Sequence, residues 1–177
     1  MKSVIEYRRA RWAWIVAALV VLGGLTGCET DPEPNPEDEL NPALITTWSS
    51  TYSSYVITAD DVSYLNSSGE IDFAGSIKYV DNFSETAGVL IIEYDDEYKP
   101  EYYAEYDPDT WLPVGDPLPL KGNFIGVYFK GLSADSAQIG SAYKEGGAEE
   151  STLEAAIAAF TVDNEGDYMG QYGTYSK

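Results

Sequence analysis

The chain has 177 residues, which is enough for one ordinary domain and too few for two large ones. Its 30 acidic and 10 basic residues give a formal net charge of −20, which repels nucleic-acid phosphates and excludes that class of partner. The sequence has no histidine and a single cysteine. Histidine-based triads, zinc clusters and internal disulfides are therefore excluded.

The first 28 residues have the layout of an export signal. Four basic residues precede the uncharged apolar run Trp12–Leu22, which is shorter than the about 20 residues of a membrane-spanning helix. The run leads to Leu25-Thr26-Gly27-Cys28, which resembles the lipobox of bacterial lipoproteins. The resemblance implies that residues 1–27 are a signal peptide, that Cys28 is lipidated, and that the protein lies outside the cytoplasm, at the inner or outer membrane of the envelope. An uncleaved anchor helix with an incidental cysteine is the alternative.

Residues 28–42 are predicted to be the lipidated cysteine followed by an acidic, proline-rich tether. This stretch contains four prolines, six acidic residues and no basic one, so it is too polar to form a core. Without residues 1–27 the chain keeps 6 lysines and 29 acidic residues, a formal charge of −23. We therefore expect the lipid, and not protein charge, to hold the protein on a membrane.

Residues 43–177 are predicted to form one β-rich domain. Apolar residues alternate with polar ones over Ile71–Tyr79, as expected for a strand with one buried face. A hairpin with the five-residue connection Ser84–Gly88 joins this strand to Val89–Ile92. Further strands are predicted at Ile45–Ser49, Ser54–Thr58, Val62–Asn66, Tyr102–Tyr106, Phe124–Lys130, Gln138–Lys144 and Asp167–Tyr175.

One helix is predicted before the last strand. Ser151 and Glu154 have the spacing of a capping box, and the helix is expected to end near Asp163-Asn164. One stripe of the helix is apolar and is expected to pack on the outside of the barrel: Leu153, Ala156, Ile157 and Phe160. Three acidic residues are expected to face solvent or the N-terminal helix dipole: Glu149, Glu150 and Glu154.

Antiparallel strands followed by a helix and a last strand resemble the order in lipocalins. Thr47-Trp48 is similar to the Gly-x-Trp opening motif of that family, with Thr46 in place of the glycine. The predicted fold class is thus mostly β: a single antiparallel lipocalin-like (calycin-like) barrel of about 8–9 strands. Segments beginning at Phe73, Ala87, Phe124 and Thr152 also resemble uncharacterised bacterial lipoproteins of spirochaete type, a resemblance that implies no activity.

The segment Glu93–Asp116 is the densest in acidic and aromatic residues. It holds nine acidic residues, with Lys99 as its one basic residue. A solvated edge and loop is one interpretation. A ligand site at the barrel mouth is another, since Tyr and Trp rings have apolar faces with polar rims that suit a sugar or another small molecule. On that interpretation the ligand-binding residues are Tyr98, Tyr103 and Trp111.

Two further patterns have the spacing of functional sites, one of a calcium site and one of a catalytic Ser-Lys pair. Asp107–Asp109 and Asp163–Asp167 place carboxylates at alternate positions, as calcium loops do, although the EF-hand glycine position is Tyr168. Ser141 and Lys144 match a Ser-x-x-Lys motif in letters, but on a strand residues three apart point to opposite faces. We assign no metal, no cofactor and no catalytic residue.

These patterns favour a membrane-anchored, extracytoplasmic lipoprotein that binds a small ligand, such as a carbohydrate, or a surface partner without catalysis. The alternatives are a structural surface-coat lipoprotein and a carboxylate-based glycoside-active enzyme. A deep pocket lined by tyrosines favours ligand binding, two carboxyl groups facing across a cleft favour the enzyme, and a filled barrel favours the coat.

Overall fold

A computed structural model describes residues 39–177 and shows a closed antiparallel barrel of eight strands, which confirms the predicted fold class. The barrel strands are β1 (Thr46–Ser49), β2 (Ser53–Ile57), β3 (Asp61–Asn66), β4 (Ile71–Ser84), β5 (Ala87–Tyr94), β8 (Phe124–Lys130), β9 (Ser136–Ser141) and β10 (Gly173–Ser176). Around the barrel they follow the order β1, β10, β9, β8, β5, β4, β3, β2. This architecture is consistent with a lipocalin-like fold. The predicted signal peptide, Cys28 and most of the tether lie outside the described residues.

Within residues 39–177, three helical segments accompany the strands. A 3-10 helix (Pro42–Leu44) precedes β1, and two helices, α1 (Leu153–Ala159) and α2 (Glu165–Tyr168), lie between β9 and β10. Leu44 and Trp48 are fully buried, and the Trp48 indole Nε1 donates a 3.0 Å hydrogen bond to the Leu44 carbonyl. The residues next to the first strand thus belong to the core.

Aromatic rings fill much of the barrel core. Tyr64 and Phe73 are stacked with ring centroids 5.3 Å apart, and Tyr55 lies 4.9 Å from Tyr64. Tyr55 also contacts Tyr175 edge-on at 5.3 Å, and Phe73 contacts Tyr94 edge-on at 6.0 Å. Such pairs add about 0.5–1.5 kcal/mol each beyond the burial of their area.

The predicted connection Ser84–Gly88 and the predicted strand Tyr102–Tyr106 need correction. The turn between β4 and β5 is Glu85-Thr86, two residues and not five, because Ser84 still pairs with Ala87. The predicted strand Tyr102–Tyr106 is not a barrel strand: Tyr102 makes one isolated bridge with Leu118. The short β6 (Glu105–Tyr106) pairs with β7 (Pro113–Val114) in a separate hairpin.

The last strand is shorter than predicted because the first half of the predicted range Asp167–Tyr175 does not form a strand. Residues up to Tyr168 form α2, and the Tyr168 ring packs edge-on against Phe160 at 5.1 Å. The methyl group of Met169 lies over Gly140 of β9, where a Cβ would be 2.6 Å from it. These side chains cover the outside of the sheet, and pairing with β9 begins only at Gly173.

The helix packs as predicted but has other ends. Thr152, not Ser151, caps α1, because its Oγ1 accepts a 3.2 Å hydrogen bond from the Ala155 amide. The helix ends at Ala159, and Asn164 Nδ2 donates to the free Ala159 carbonyl at 3.1 Å. α1 covers β5 and β8, which are buried on both faces.

Phe160 is the main contact of the helical segment with the barrel. The side chain is 1 % exposed, and its ring lies on Gly126 of β8, where a Cβ would be 2.8 Å from the ring Cγ. Leu153 and Ile157 are only partly buried. The predicted apolar stripe is therefore docked mainly through Phe160, which directly follows the last residue of α1.

The two ends of the barrel differ. β5 and β9 both run antiparallel to β8, so the connections that follow them leave from the same end, next to Tyr94. At the opposite end lies the Glu85-Thr86 turn, and Asn41 Nδ2 donates to the Glu85 carbonyl at 3.0 Å. We call these ends the Tyr94 end and the Asn41 end.

Candidate functional site

A cleft of about 490 Å³ lies between the two long connections of the Tyr94 end. Tyr102, Tyr103 and Lys121 line it from the β5–β8 connection, while residues 142–144 and 146–149 line it from the β9–α1 connection. Glu149 is the one carboxylate among its lining residues. We call it the Glu149 cleft.

Glu149 is buried, contrary to the prediction that it faces solvent. Its exposed fraction is 1 %, and its Oε2 has no hydrogen-bond partner. The backbone explains this position: Glu150 pairs with Phe124 of β8 through hydrogen bonds of 3.0 and 2.9 Å, which continue the sheet past the end of β9. Because successive side chains on an extended segment point to opposite sides, pairing at Glu150 turns Glu149 into the protein.

Two tyrosine hydroxyls connect the Glu149 carboxylate with the barrel core. Tyr102 is 41 % exposed, and the burial of the rest of its side chain, the charge of Glu149 and a hydrogen bond to that carboxylate raise the pKa of Tyr102 to about 12. Burial, Tyr102 and the charge of Glu149 raise the pKa of Tyr94 well above its usual range, and Tyr94 hydrogen bonds to Tyr102. Both phenols therefore stay protonated at neutral pH and donate towards the acid. One carboxylate oxygen is thereby left for another donor.

Two lysines line the same cleft, one from each connection. Lys121 and Lys144 are exposed, and among residues 39–177 no carboxylate oxygen lies within 4.0 Å of either ammonium. The Lys144 Nζ lies 5.0 Å above the Tyr168 ring. The cleft thus combines a buried negative group with two positive groups near the solvent.

Aromatic rings supply apolar surface in the cleft. Tyr143 is 68 % exposed, and its backbone amide is fixed by a 2.7 Å hydrogen bond to the Tyr168 carbonyl. Tyr103 donates a 2.6 Å hydrogen bond to Glu101, which raises the pKa of Tyr103. These two rings and that of Tyr102 border the Glu149 cleft.

The three predicted ligand-binding residues lie in different places. Tyr103 lines the Glu149 cleft. Tyr98 lies in a separate, more polar groove of about 420 Å³ with Asp61, Glu93 and Asp95. Trp111 is 78 % exposed on the β6–β7 hairpin, where it has a φ of +56°. The structure does not bring the three together.

Sequence reasoning missed Glu149, Lys121, Lys144, Tyr102 and Tyr143 as a group. The pair Gly146-Gly147 just before Ala148 was the available signal, because consecutive glycines allow positive φ and close approach. Their φ angles are +86° and +98°. Nothing in the sequence, however, indicated that the turn ends on a buried acid.

The segments considered for calcium have structural roles. Asp107 Oδ1 accepts hydrogen bonds from the Asp109 amide and from the amide and hydroxyl of Thr110, and these bonds lower the pKa of Asp107. Asp163–Asp167 runs into α2. Over residues 39–177, no group of three or more Cys, Asp or Glu side chains is arranged to hold a metal ion.

Ser141 and Lys144 do not form a pair in the structure. Ser141 ends β9 and hydrogen bonds to Tyr55 of the core, whereas Lys144 is exposed in the cleft. β9 ends at Ser141 and not at the predicted Lys144, so Lys144 lies on the connection that follows the strand and the strand geometry does not apply to it.

In the part of the chain from residue 39 onward, no helix is long and apolar enough to cross a membrane. No protein-family model, curated protein or solved structure matches the sequence.

Proposed function

We propose that the protein is a lipid-anchored, extracytoplasmic binding protein that holds a small polyhydroxylated ligand, of carbohydrate type, in the Glu149 cleft. The observation that carries the proposal is the buried Glu149 Oε2 without a hydrogen-bond partner. The lipobox residues Leu25–Cys28 and the acidic stretch that follows support the anchor.

A buried, unpaired carboxylate oxygen is costly. Removing such a polar group from water without a partner costs about 1–3 kcal/mol by protein mutational data, and more when it is charged. A ligand hydroxyl or amide that donates to Glu149 Oε2 would recover this free energy on binding. The free energy lost by leaving Oε2 unpaired in the free protein is thus regained when a ligand with donor groups binds. This gain adds to the affinity for that ligand.

The rest of the cleft suits a ligand with both polar and apolar faces. Its volume of about 490 Å³ falls within the range of about 300–1,000 Å³ typical of small-molecule sites. The rings of Tyr102, Tyr103 and Tyr143 offer flat surfaces with hydroxyl rims. The C–H faces of a sugar ring can lie on such surfaces while its hydroxyls reach the acid.

The arrangement favours binding over glycoside hydrolysis. Hydrolysis of this kind uses two carboxyl groups on opposite sides of the bond to be cut. The residues that line the Glu149 cleft include one carboxylate, and the cationic groups beside it are lysines. These features of the cleft support the proposal of ligand binding.

A structural coat role without a ligand is the second candidate, and the aromatic cluster in the barrel favours it. The rings of Tyr55, Tyr64, Phe73 and Tyr94 occupy the space that would hold a ligand in an open barrel. A coat protein needs this filled core and no cleft chemistry.

Saccharide binding to the full chain in detergent separates the two roles. Ligand-observed NMR with a panel of neutral and charged sugars should show contacts for at least one sugar. These contacts should be lost in Glu149→Gln, which keeps the shape but removes the charge. Glu145→Gln is the matched control, because Glu145 lies in the same connection and is exposed and outside the lining of the cleft. Absence of contacts across the whole panel would favour the coat role.

A further inference from the structure

Resting on the proposed function, we propose that the ligand of the Glu149 cleft is an acidic sugar, with hydroxyls that donate to Glu149 and an anionic group bound by Lys121 and Lys144. The argument starts from the distribution of the lysines.

Residues 39–177 contain six lysines, and most of them have an anionic or aromatic partner elsewhere on the surface. Lys78, Lys99 and Lys130 each pair with a carboxylate, at 3.1, 2.7 and 3.4 Å. Lys177 lies 5.0 Å above the Trp48 ring. From Cys28 onward, acidic residues outnumber lysines almost five to one. We therefore expect most lysines to have a carboxylate within ion-pair distance. Of the three lysines without a carboxylate partner, Lys121 and Lys144 both line the Glu149 cleft, and Lys177 lies outside it.

The position of Lys121 brings its side chain next to the buried acid. A Cβ built on Gly147 would lie 3.4 Å from Lys121 Cβ, 3.8 Å from Lys121 Cδ and 2.9 Å from Glu149 Oε2. The lysine stem and the carboxylate thus share one small surface, yet the Lys121 ammonium is not within 4.0 Å of the carboxylate. The Lys121 side chain continues past Glu149 towards solvent. Lys144 lies on the β9–α1 connection.

This placement sets the charge pattern of a fitting ligand. A hydroxyl at the base meets an acceptor, and an anionic group nearer the solvent meets two ammonium groups, which form charge-assisted hydrogen bonds. An amino sugar would bring a third positive charge near these lysines, and a neutral sugar would leave them without a counter-charge. Long-range repulsion by the strongly acidic protein makes such a local positive pair necessary for any anionic ligand.

Three matched sugars test the proposal: galacturonate, galactose and galactosamine. Calorimetric titration of the full chain in detergent should give an affinity for galacturonate about tenfold or more above that for galactose, with galactosamine weakest. Lys121→Met and Lys144→Met keep most of the apolar stem and remove the charge, and together they should abolish the preference for galacturonate over galactose. Lys99→Met is the control, because Lys99 pairs with Asp96 outside the cleft.

The outcomes separate the two proposals. Equal affinity for galactose and galacturonate, or a preference for galactosamine, would overturn the acidic-sugar inference and leave sugar binding in place. Binding of none of the three sugars or of their oligomers would overturn both. Unchanged thermal unfolding of the Met variants, with a lost preference, would establish that the lysines act on the ligand and not on the fold.

Discussion

Gly147 and the carboxylate of Glu149 are in contact, so closely that a Cβ on Gly147 would be 2.9 Å from Glu149 Oε2. Gly147 also has a φ of +98°, a conformation that residues with a side chain rarely adopt. Because Gly147 has no side chain, the Glu149 carboxylate has room next to the turn. The positive φ of Gly147 sets the direction in which the chain continues to Glu149. The shape of the cleft at its base therefore depends on this glycine.

Gly147→Ala should weaken ligand binding through this contact. The added methyl group displaces the carboxylate, and the positive φ adds strain of about 1 kcal/mol. Gly146→Ala is the matched control, because Gly146 has a φ of +86° but no atom within 4 Å of its Cβ position. Both variants should lose similar stability in urea unfolding, and only Gly147→Ala should lose sugar contacts in NMR. Equal loss of binding in both would contradict the role of the contact.

Glu149→Gln should leave the protein at least as stable as the wild type. The change removes a buried charge that lacks a full set of partners, so the free energy of unfolding should stay equal or rise by about 1 kcal/mol. Urea midpoints measured at neutral pH provide the comparison. A large loss of stability would mean that the acid supports the fold, and the case for a ligand would lose its basis.

Tyr102→Phe should destabilise the protein through Glu149. The variant removes the hydroxyl that interacts with the carboxylate, and because Tyr102 is 41 % exposed the cost should be at most about 1 kcal/mol. In a Glu149→Leu background the same change should cost little. A double-mutant cycle in urea measures this coupling. Additive effects would show that the two side chains do not interact.

The free energy of unfolding should fall as the pH rises from about 10 towards 12. The pKa of Tyr102 is raised to about 12 in the folded protein, against 10.0 for a free side chain, so the folded state retains its proton longer. Its contribution is complete below pH 10 and is lost as pH rises through the folded value. Tyr55, Tyr94 and Tyr172 shift in the same direction. Urea midpoints between pH 8 and 12 should decline, less steeply in Tyr102→Phe, and a flat profile would contradict the assignment.

Phe160→Ala should cost about 3–5 kcal/mol, as for other fully buried aromatic side chains. Removal of the ring uncovers Gly126 and takes away the aromatic partner of Tyr168. Glu150→Ala is the comparison, since the pairing of Glu150 with Phe124 uses only backbone atoms and the side-chain change should stay within about 0.5 kcal/mol. If the two urea midpoints fall equally, the helix is not docked through Phe160.

The barrel and its helix could be predicted because their signals are local. Alternating residues in Ile71–Tyr79 and the stripe around Phe160 each identify one buried face within a few residues. The Glu149 cleft could not be predicted, because an acidic residue in the run Glu145–Glu150 normally faces water. Its burial results from the pairing of Glu150 with Phe124, a contact between distant parts of the chain. The same holds for Tyr102, whose neighbouring acids suggested a solvated loop, and whose hydroxyl meets Glu149 only in the fold.

The hydrogen bond from Asn41 to Glu85 links the chain just before the first strand to one end of the barrel. It fixes the chain, as it enters the barrel, to the end opposite the Glu149 cleft. The described residues that precede the barrel therefore lie at the end opposite the cleft, so a ligand can enter the cleft without displacing them.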